Sequence, residues 1–189
     1  MKKVASIAAA IMLSAASYAQ TWTLDKAHAK LGFTITHMMV SDVDGMFKDF
    51  DATITSARPD FSDAVLSMTA KTNSIFTDND KRDEHLRNPD FFDADKNPTV
   101  AFKSRSMKKN GTNKYKVAGD LTMHGVTKPV VLDLSFRGPA EHPMSKKTFA
   151  GFKITGKVKR SDFKIGESVP GAMLSDEVSI AANGEFTKS

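Results

Sequence analysis

Apolar and polar residues alternate along most of this chain. Leu31, Phe33, Ile35 and His37 share one side of the first row, and Gly32, Thr34 and Thr36 take the other. Seven more rows follow the same rule: Phe50–Ile54, Leu66–Thr72, Val100–Ser104, Tyr115–Met123, Val130–Phe136, Ala150–Val158 and Val178–Phe186. A period of two over five to nine residues predicts strands with one apolar and one wet face. Asn110-Gly111 reads as a tight hairpin turn, and Gly138-Pro139 with His142-Pro143 as a longer loop. The stretch between the third and fourth rows breaks the pattern. Asp80 as N-cap with Lys81–Leu86 predicts a short helix that ends before Pro89. Eight one-faced strands and a short helical insertion predict an all-β, eight-stranded antiparallel barrel, because closing the sheet removes its edges and pools its apolar faces.

Small residues recur on the inferred inward face: Ala52, Ala70, Gly119, Ala150, Gly156, Ala182 and Gly184. An eight-stranded barrel is either filled by its own side chains or holds one small ligand. Small residues among Phe, Met and Ile favour an apolar cavity, and a lipid tail as its occupant. The alternative is that the glycines only make bends and bulges.

The first residues read as an address. Lys2-Lys3, an uncharged Ala-rich run from Val4 to Ala16, and Ser17-Tyr18-Ala19 form a signal-peptide pattern with cleavage after Ala19. The run is shorter than the roughly 20 residues of a membrane span. Residues 1–19 are thus set apart from one domain, 20–189, expected to be exported to a bacterial periplasm. The net charge is +5, and two of the 27 basic residues belong to this leader. With no cysteine, disulfides, Cys-ligated metal, iron–sulfur clusters and a thiol nucleophile are excluded.

The candidate chemistry is sparse. His37 ends an apolar row and suits either a ligand headgroup or a strand terminus satisfied by backbone or water. His28, His37 and His124 invite a metal or haem reading, but no pair has zinc-like helical spacing and no cysteine assists. Arg82, Asp83 and His85 read as a phosphate clamp, a catalytic cluster or a structural trio, of which the structural reading is adopted. In that reading Arg82 pairs with a carboxylate and His85 ties the helix to the barrel. Arg160 continues an inward register and suits a headgroup contact or a buried pair with a carboxylate such as Asp162. There is no nucleophile elbow, phosphate loop or dinucleotide fingerprint. The lysines mostly alternate along strands, which argues for a solvated exterior and against nucleic-acid binding. No enzyme activity and no cofactor are expected.

The order of motifs resembles the YceI family of secreted, lipocalin-like proteins. The resemblance rests on Trp22-Thr23-Leu24-Asp25 with His28, Gly45-Met46-Phe47, Arg82-Asp83-Glu84-His85-Leu86, Phe91-Phe92-Asp93, Gly119–Val130 and Arg160-Ser161-Asp162-Phe163. It implies a lipocalin-like barrel binding a polyisoprenoid or another long amphiphilic chain, as a periplasmic carrier or store. Transient membrane contact during loading and a homodimer are compatible with that reading. Ala29 stands where a hydroxyl residue is usual, and Lys164 where glycine is common. The lining expected for the cavity is Phe33, Ile35, Phe50, Ile54, Met68, Leu121, Phe152, Ile154 and Ile180, with His37 and Arg160 as polar contacts and Trp22 plugging one end. Two other classes compete: a stress-related barrel acting through its surface, and a histidine-based metal or haem redox partner.

Overall fold

The alternating rows form strands of one closed sheet in the computed structural model, which describes residues 18–189. Most of the leader expected over residues 1–19 lies outside the described residues. The strands are β1 (Gln20–His37), β2 (Ser41–Phe47), β3 (Phe50–Ser56), β4 (Val65–Lys71), β5 (Ile75–Phe76), β6 (Thr99–Lys109), β7 (Lys114–Met123), β8 (Val126–Glu141), β9 (Thr148–Lys159) and β10 (Leu174–Lys188), with one helix, α1 (Asp80–Arg87). Their order is β10-β9-β8-β7-β6-β4-β3-β1, and β1 pairs with β10 to close the ring. All these pairings are antiparallel. The upper half of β1 pairs with β2 and its first residues pair with β3, so β2 and β3 act as one interrupted strand of an eight-stranded barrel.

Several elements differ from expectation. β1 starts at Gln20, well before Leu31, because a register shift between Asp25 and Ala29 absorbs the residues that break its alternation. β8 runs through Gly138-Pro139 to Glu141, with an irregularity between Arg137 and Ala140 where a loop was expected. The N-cap of α1 is Asn79, not Asp80: its side chain accepts from the Arg82 N–H at 3.0 Å.

The inward glycines do not hollow the barrel. A Cβ at Gly119 would lie 2.6 Å from Cζ of Phe102, one at Gly156 2.4 Å from Cδ2 of Leu132, and one at Gly184 2.7 Å from Cδ1 of Leu24. Each missing side chain is replaced by a larger one leaning across from a neighbouring position. Gly119 and Gly156 are packed, whereas Gly184, with Ala52 and Ala182, also borders a small hollow of about 70 Å³.

One end of the barrel has an aromatic floor. The loop between β3 and β4 turns back beneath the strands and inserts Phe61, which is 1% exposed. Its ring meets Trp22 at 5.1 Å, Phe136 at 5.0 Å and Phe152 at 4.9 Å between centroids, all edge-on. The expected plug, Trp22, is thus one part of a larger seal. Phe61 holds a left-handed backbone, φ 56°, which costs a side-chain-bearing residue about 1–2 kcal/mol. The loop is over-determined around it. The Tyr115 hydroxyl donates to the Asp60 carbonyl at 2.7 Å, and the Asp63 carboxylate accepts from Ser56 Oγ at 2.5 Å and the Ala57 N–H at 2.9 Å.

Phe61→Ala is expected to lower unfolding free energy by about 3–5 kcal/mol, the usual range for a fully buried aromatic. Urea denaturation measures it. A loss below about 1 kcal/mol would mean that the floor does not depend on this ring.

Candidate functional site

The opposite end is open because β2 lacks a second neighbour over most of its length. β5 pairs only with Met46 and Phe47, so Ser41–Gly45 pair with β1 alone. Here α1, the turn carrying Phe91 and Phe92, and the β9–β10 loop cover the barrel in place of further strand. Beneath them lies a cavity of about 460 Å³. Leu31, Phe33 and Ile35 of β1, Val43 and Phe47 of β2, Leu121 of β7, and Val178 and Ile180 of β10 form its walls. Leu86, Phe91, Phe92, Ile165, Val169, Met173 and Leu174 form its roof.

Its polar groups are His37, Thr77, Arg82, His85 and Arg160. Two of these are fully committed to the protein. Thr77 Oγ1 donates to Asp83 Oδ1 at 2.6 Å and accepts from Arg82 Nε at 2.8 Å, while its N–H donates to the same Asp83 oxygen at 2.8 Å. Asp83 is buried, so it is the structural member of the trio. Arg160, only 6% exposed, uses all five of its N–H donors on backbone carbonyls. Nε donates to Ser175, Nη1 to Ile165 and Gly166, and Nη2 to Val169 and Leu174. Among the described residues it is bonded neither to Asp162 nor to any other carboxylate. Its role is to fold the β9–β10 loop into a roof, and it keeps no donor for a headgroup. Nearby, burial opposes ionisation of Asp176, but hydrogen bonds from Ser161 and the Arg160 charge together hold its carboxyl below the usual range.

Arg82 is different. Nε and Nη2 are held by Thr77 Oγ1 and the Thr77 carbonyl, the latter at 2.7 Å, and no carboxylate pairs with it among the described residues. This replaces the expected Arg82–carboxylate pair and fixes the guanidinium at the mouth with Nη1 unengaged. His85 packs edge-on against Phe91, centroids 4.9 Å apart. Arg82, His85 and Leu86 have the i, i+3, i+4 spacing that shares a helix face, and that face meets the cavity.

The expected lining residues divide between two spaces. Phe33, Ile35, His37, Met68, Leu121, Arg160 and Ile180 line the main cavity. Phe50, Ile54, Phe152 and Ile154 instead border a hollow of about 70 Å³ nearer the floor, which Met68 also reaches. Phe152 belongs to the aromatic seal, and Ile54 is in the packed core. None of the seven small inward residues lines the main cavity. The histidines do not assemble. His124 Nδ1 lies 3.0 Å from the Phe163 carbonyl, and His37 stands at the mouth. His28 joins Asp25 and Glu185 on the exterior at the β1–β10 bulge, with ligand atoms within 4.8 Å of one another. The Asp25–His28 hydrogen bond, 2.8 Å, holds the Asp25 carboxyl below its usual pKa and the imidazole above.

A barrel sealed below, with one apolar chamber under a polar-rimmed mouth, is the architecture of single-chain barrels that enclose a small apolar ligand. Comparison with known proteins gives the family. The YceI-like domain matches residues 22–186, and the chain belongs to that family. A UPF0312 protein of Staphylococcus aureus is 36% identical over 172 residues, 89% of this chain and 98% of its own. A solved YCEI protein of Campylobacter jejuni is 39% identical, with TM-score 0.74 over 88% of this chain and 97% of that one. A Saccharophagus degradans domain described as polyisoprenoid binding shares the fold at 15% identity, TM-score 0.69, over 89% of this chain and 98% of its own.

Lys164 ends the short turn Ser161–Phe163 with φ 58°, a conformation glycine adopts without strain. Arg160→Met is expected to cost about 3 kcal/mol or more by leaving several buried carbonyls unpaired. Chemical denaturation measures it, and a variant within about 1 kcal/mol of the parent would contradict the roof-organising role.

Proposed function

We propose that this protein binds one long apolar chain non-covalently and acts as a periplasmic carrier or store for a polyisoprenoid. The observation that carries this reading is the 460 Å³ apolar chamber, open above, in a barrel whose far end is sealed by Phe61. An apolar cavity of about 150 Å³ holds benzene. By that scale this one takes on the order of 15–20 carbon atoms, and a longer chain protrudes through the mouth. Burial of each CH₂ contributes about 0.8 kcal/mol, partly offset by ordering of the chain. The polyisoprenoid-binding description of the Saccharophagus degradans domain supports the ligand class. The leader-like residues 1–19 support export. One chain closes its own barrel, so this function does not require a homodimer. Binding rather than catalysis is favoured, because Thr77 and Arg160 are tied into the fold and no nucleophile–base pair lines the chamber.

For a chain that fits the chamber, the headgroup end is at Arg82. A guanidinium held on one edge by Thr77, with no carboxylate partner among the described residues, suits a phosphate or carboxylate at the end of the chain. His37 and His85 stand beside the same mouth as further hydrogen-bonding groups.

Two variants test this. Ile180→Trp, on the chamber wall, is expected to cut uptake of radiolabelled geranylgeraniol at least tenfold with the circular dichroism spectrum unchanged. Full uptake by a folded variant would contradict the chamber as the site. Arg82→Gln is expected to weaken geranylgeranyl phosphate about tenfold, some 1.4 kcal/mol, and to leave geranylgeraniol unaffected. Equal effects on both ligands, or none on the phosphate, would contradict the headgroup assignment.

A further inference from the structure

The turn joining β1 to β2 presents apolar side chains where its geometry favours other residues. Met38 and Met39 both hold left-handed backbones, φ 51° and 57°, and the Val40 N–H donates to the His37 carbonyl at 3.1 Å. This turn class prefers Asn-Gly, because two consecutive positive φ values strain any residue bearing a Cβ. Here the strained positions carry two methionines, 49% and 75% exposed, followed by Val40 at 84%. Strain kept in place of an unstrained alternative marks a position used for something else.

The place of the turn narrows what that is. Met38 N–H donates to the Met173 carbonyl at 2.9 Å, and Met173 both lines the cavity and is 49% exposed. Among the described residues, four of the eight exposed large apolar side chains sit on this rim. The others, Tyr18, Val65, Val131 and Met144, lie on other elements. The apolar surface therefore runs from solvent across the rim into the chamber. Four side chains fall far short of the ~800 Å² per partner that a stable protein interface buries. They do suit the shallow acyl–headgroup boundary of a bilayer, which takes a few apolar groups without shape matching. Charge points to the same occupant by a specific route. No lysine or arginine lies between His37 and Phe47, whereas Asp42 and Asp44 flank the turn. The turn itself carries no cation for anionic lipid, so its own contact with a bilayer is by insertion, beside the exposed Arg82 of the mouth.

We infer that the Met38–Val40 turn, with Met173, is a membrane-inserting tip that seats the cavity mouth on a lipid bilayer, where an apolar chain passes between membrane and chamber. This rests on the proposed lipid-binding function and adds the surface through which loading occurs.

The test uses neutral phosphatidylcholine vesicles carrying radiolabelled geranylgeraniol, with the same alcohol in detergent micelles as the second source. Met38→Asn/Met39→Gly restores the residues the turn prefers, so it removes the apolar tip while favouring the fold. The parent is expected to float with the vesicles equally at low and high salt. The double variant should lose flotation and load from vesicles at least tenfold more slowly, with micellar uptake unchanged. In Met39→Trp, the new indole should be quenched by brominated acyl chains, since the natural Trp22 is buried in the floor. Vesicle loading unaffected by the double variant overturns the inference and leaves the binding function standing. So does a dimer of the parent that the double variant abolishes, which assigns the tip to a second copy. Failure of the parent to take up the alcohol from either source overturns the binding function itself.

Discussion

The seal at the lower end of the barrel is the constraint on which the rest depends. A closed sheet of this size must fill its interior or leave a tunnel. Phe61 decides between these by entering from a loop and touching Trp22, Phe136 and Phe152 at once. Aromatic edge contacts and burial outweigh the left-handed strain at its backbone, and the bonds of Tyr115 and Asp63 fix the loop that carries it. With that end closed, the space left over collects at the other end. There β2 lacks a second strand partner, and helix and loops stand in for the wall.

The chamber therefore owes its existence to missing strand pairing rather than to missing side chains. At Gly119, Gly156 and Gly184 a neighbouring Phe or Leu already fills the volume. The cavity is bordered by large residues, among them Phe33, Phe47, Leu121 and Ile180, and Phe33 and Phe47 meet with ring centroids 6.1 Å apart without filling it. Its polar groups are sorted in the same way. Arg160 closes the roof by satisfying five carbonyls of the loop it organises, whereas Arg82 is anchored on one edge only. Two arginines that look equivalent as cavity-lining cations thus have opposite availabilities.

Much of this fold was legible in the sequence, because a one-faced strand writes itself as alternation. The rows from Phe50, Leu66, Val100, Tyr115, Val130, Ala150 and Val178 all became strands of the barrel. The first half of β1 was not legible, since Asp25 to His28 interrupt its period at a bulge. The end of β8 was hidden by Gly138-Pro139, which reads as a loop unless the sheet bends there. The site was less legible than the fold. Alternation shows which face is inward but not at which height a residue stands, so Phe33 and Ile154 looked equivalent and belong to different spaces. The roof residues Ile165, Val169 and Leu174 and the floor residue Phe61 come largely from irregular segments, where no period announces a buried side chain. The Arg82–His85–Leu86 spacing was a readable signal of one helix face, but not of what that face meets.

The central claim is a chamber of fixed depth, closed at one end and entered from the other. Native mass spectrometry over a series of prenyl alcohols of increasing length tests it most directly. The expected result is one ligand per chain, with affinity rising to about 15–20 carbons and then levelling off as added units remain outside the mouth. No binding at any length would contradict the chamber as a ligand site. A continued rise to about 40 carbons would contradict a chamber of fixed depth.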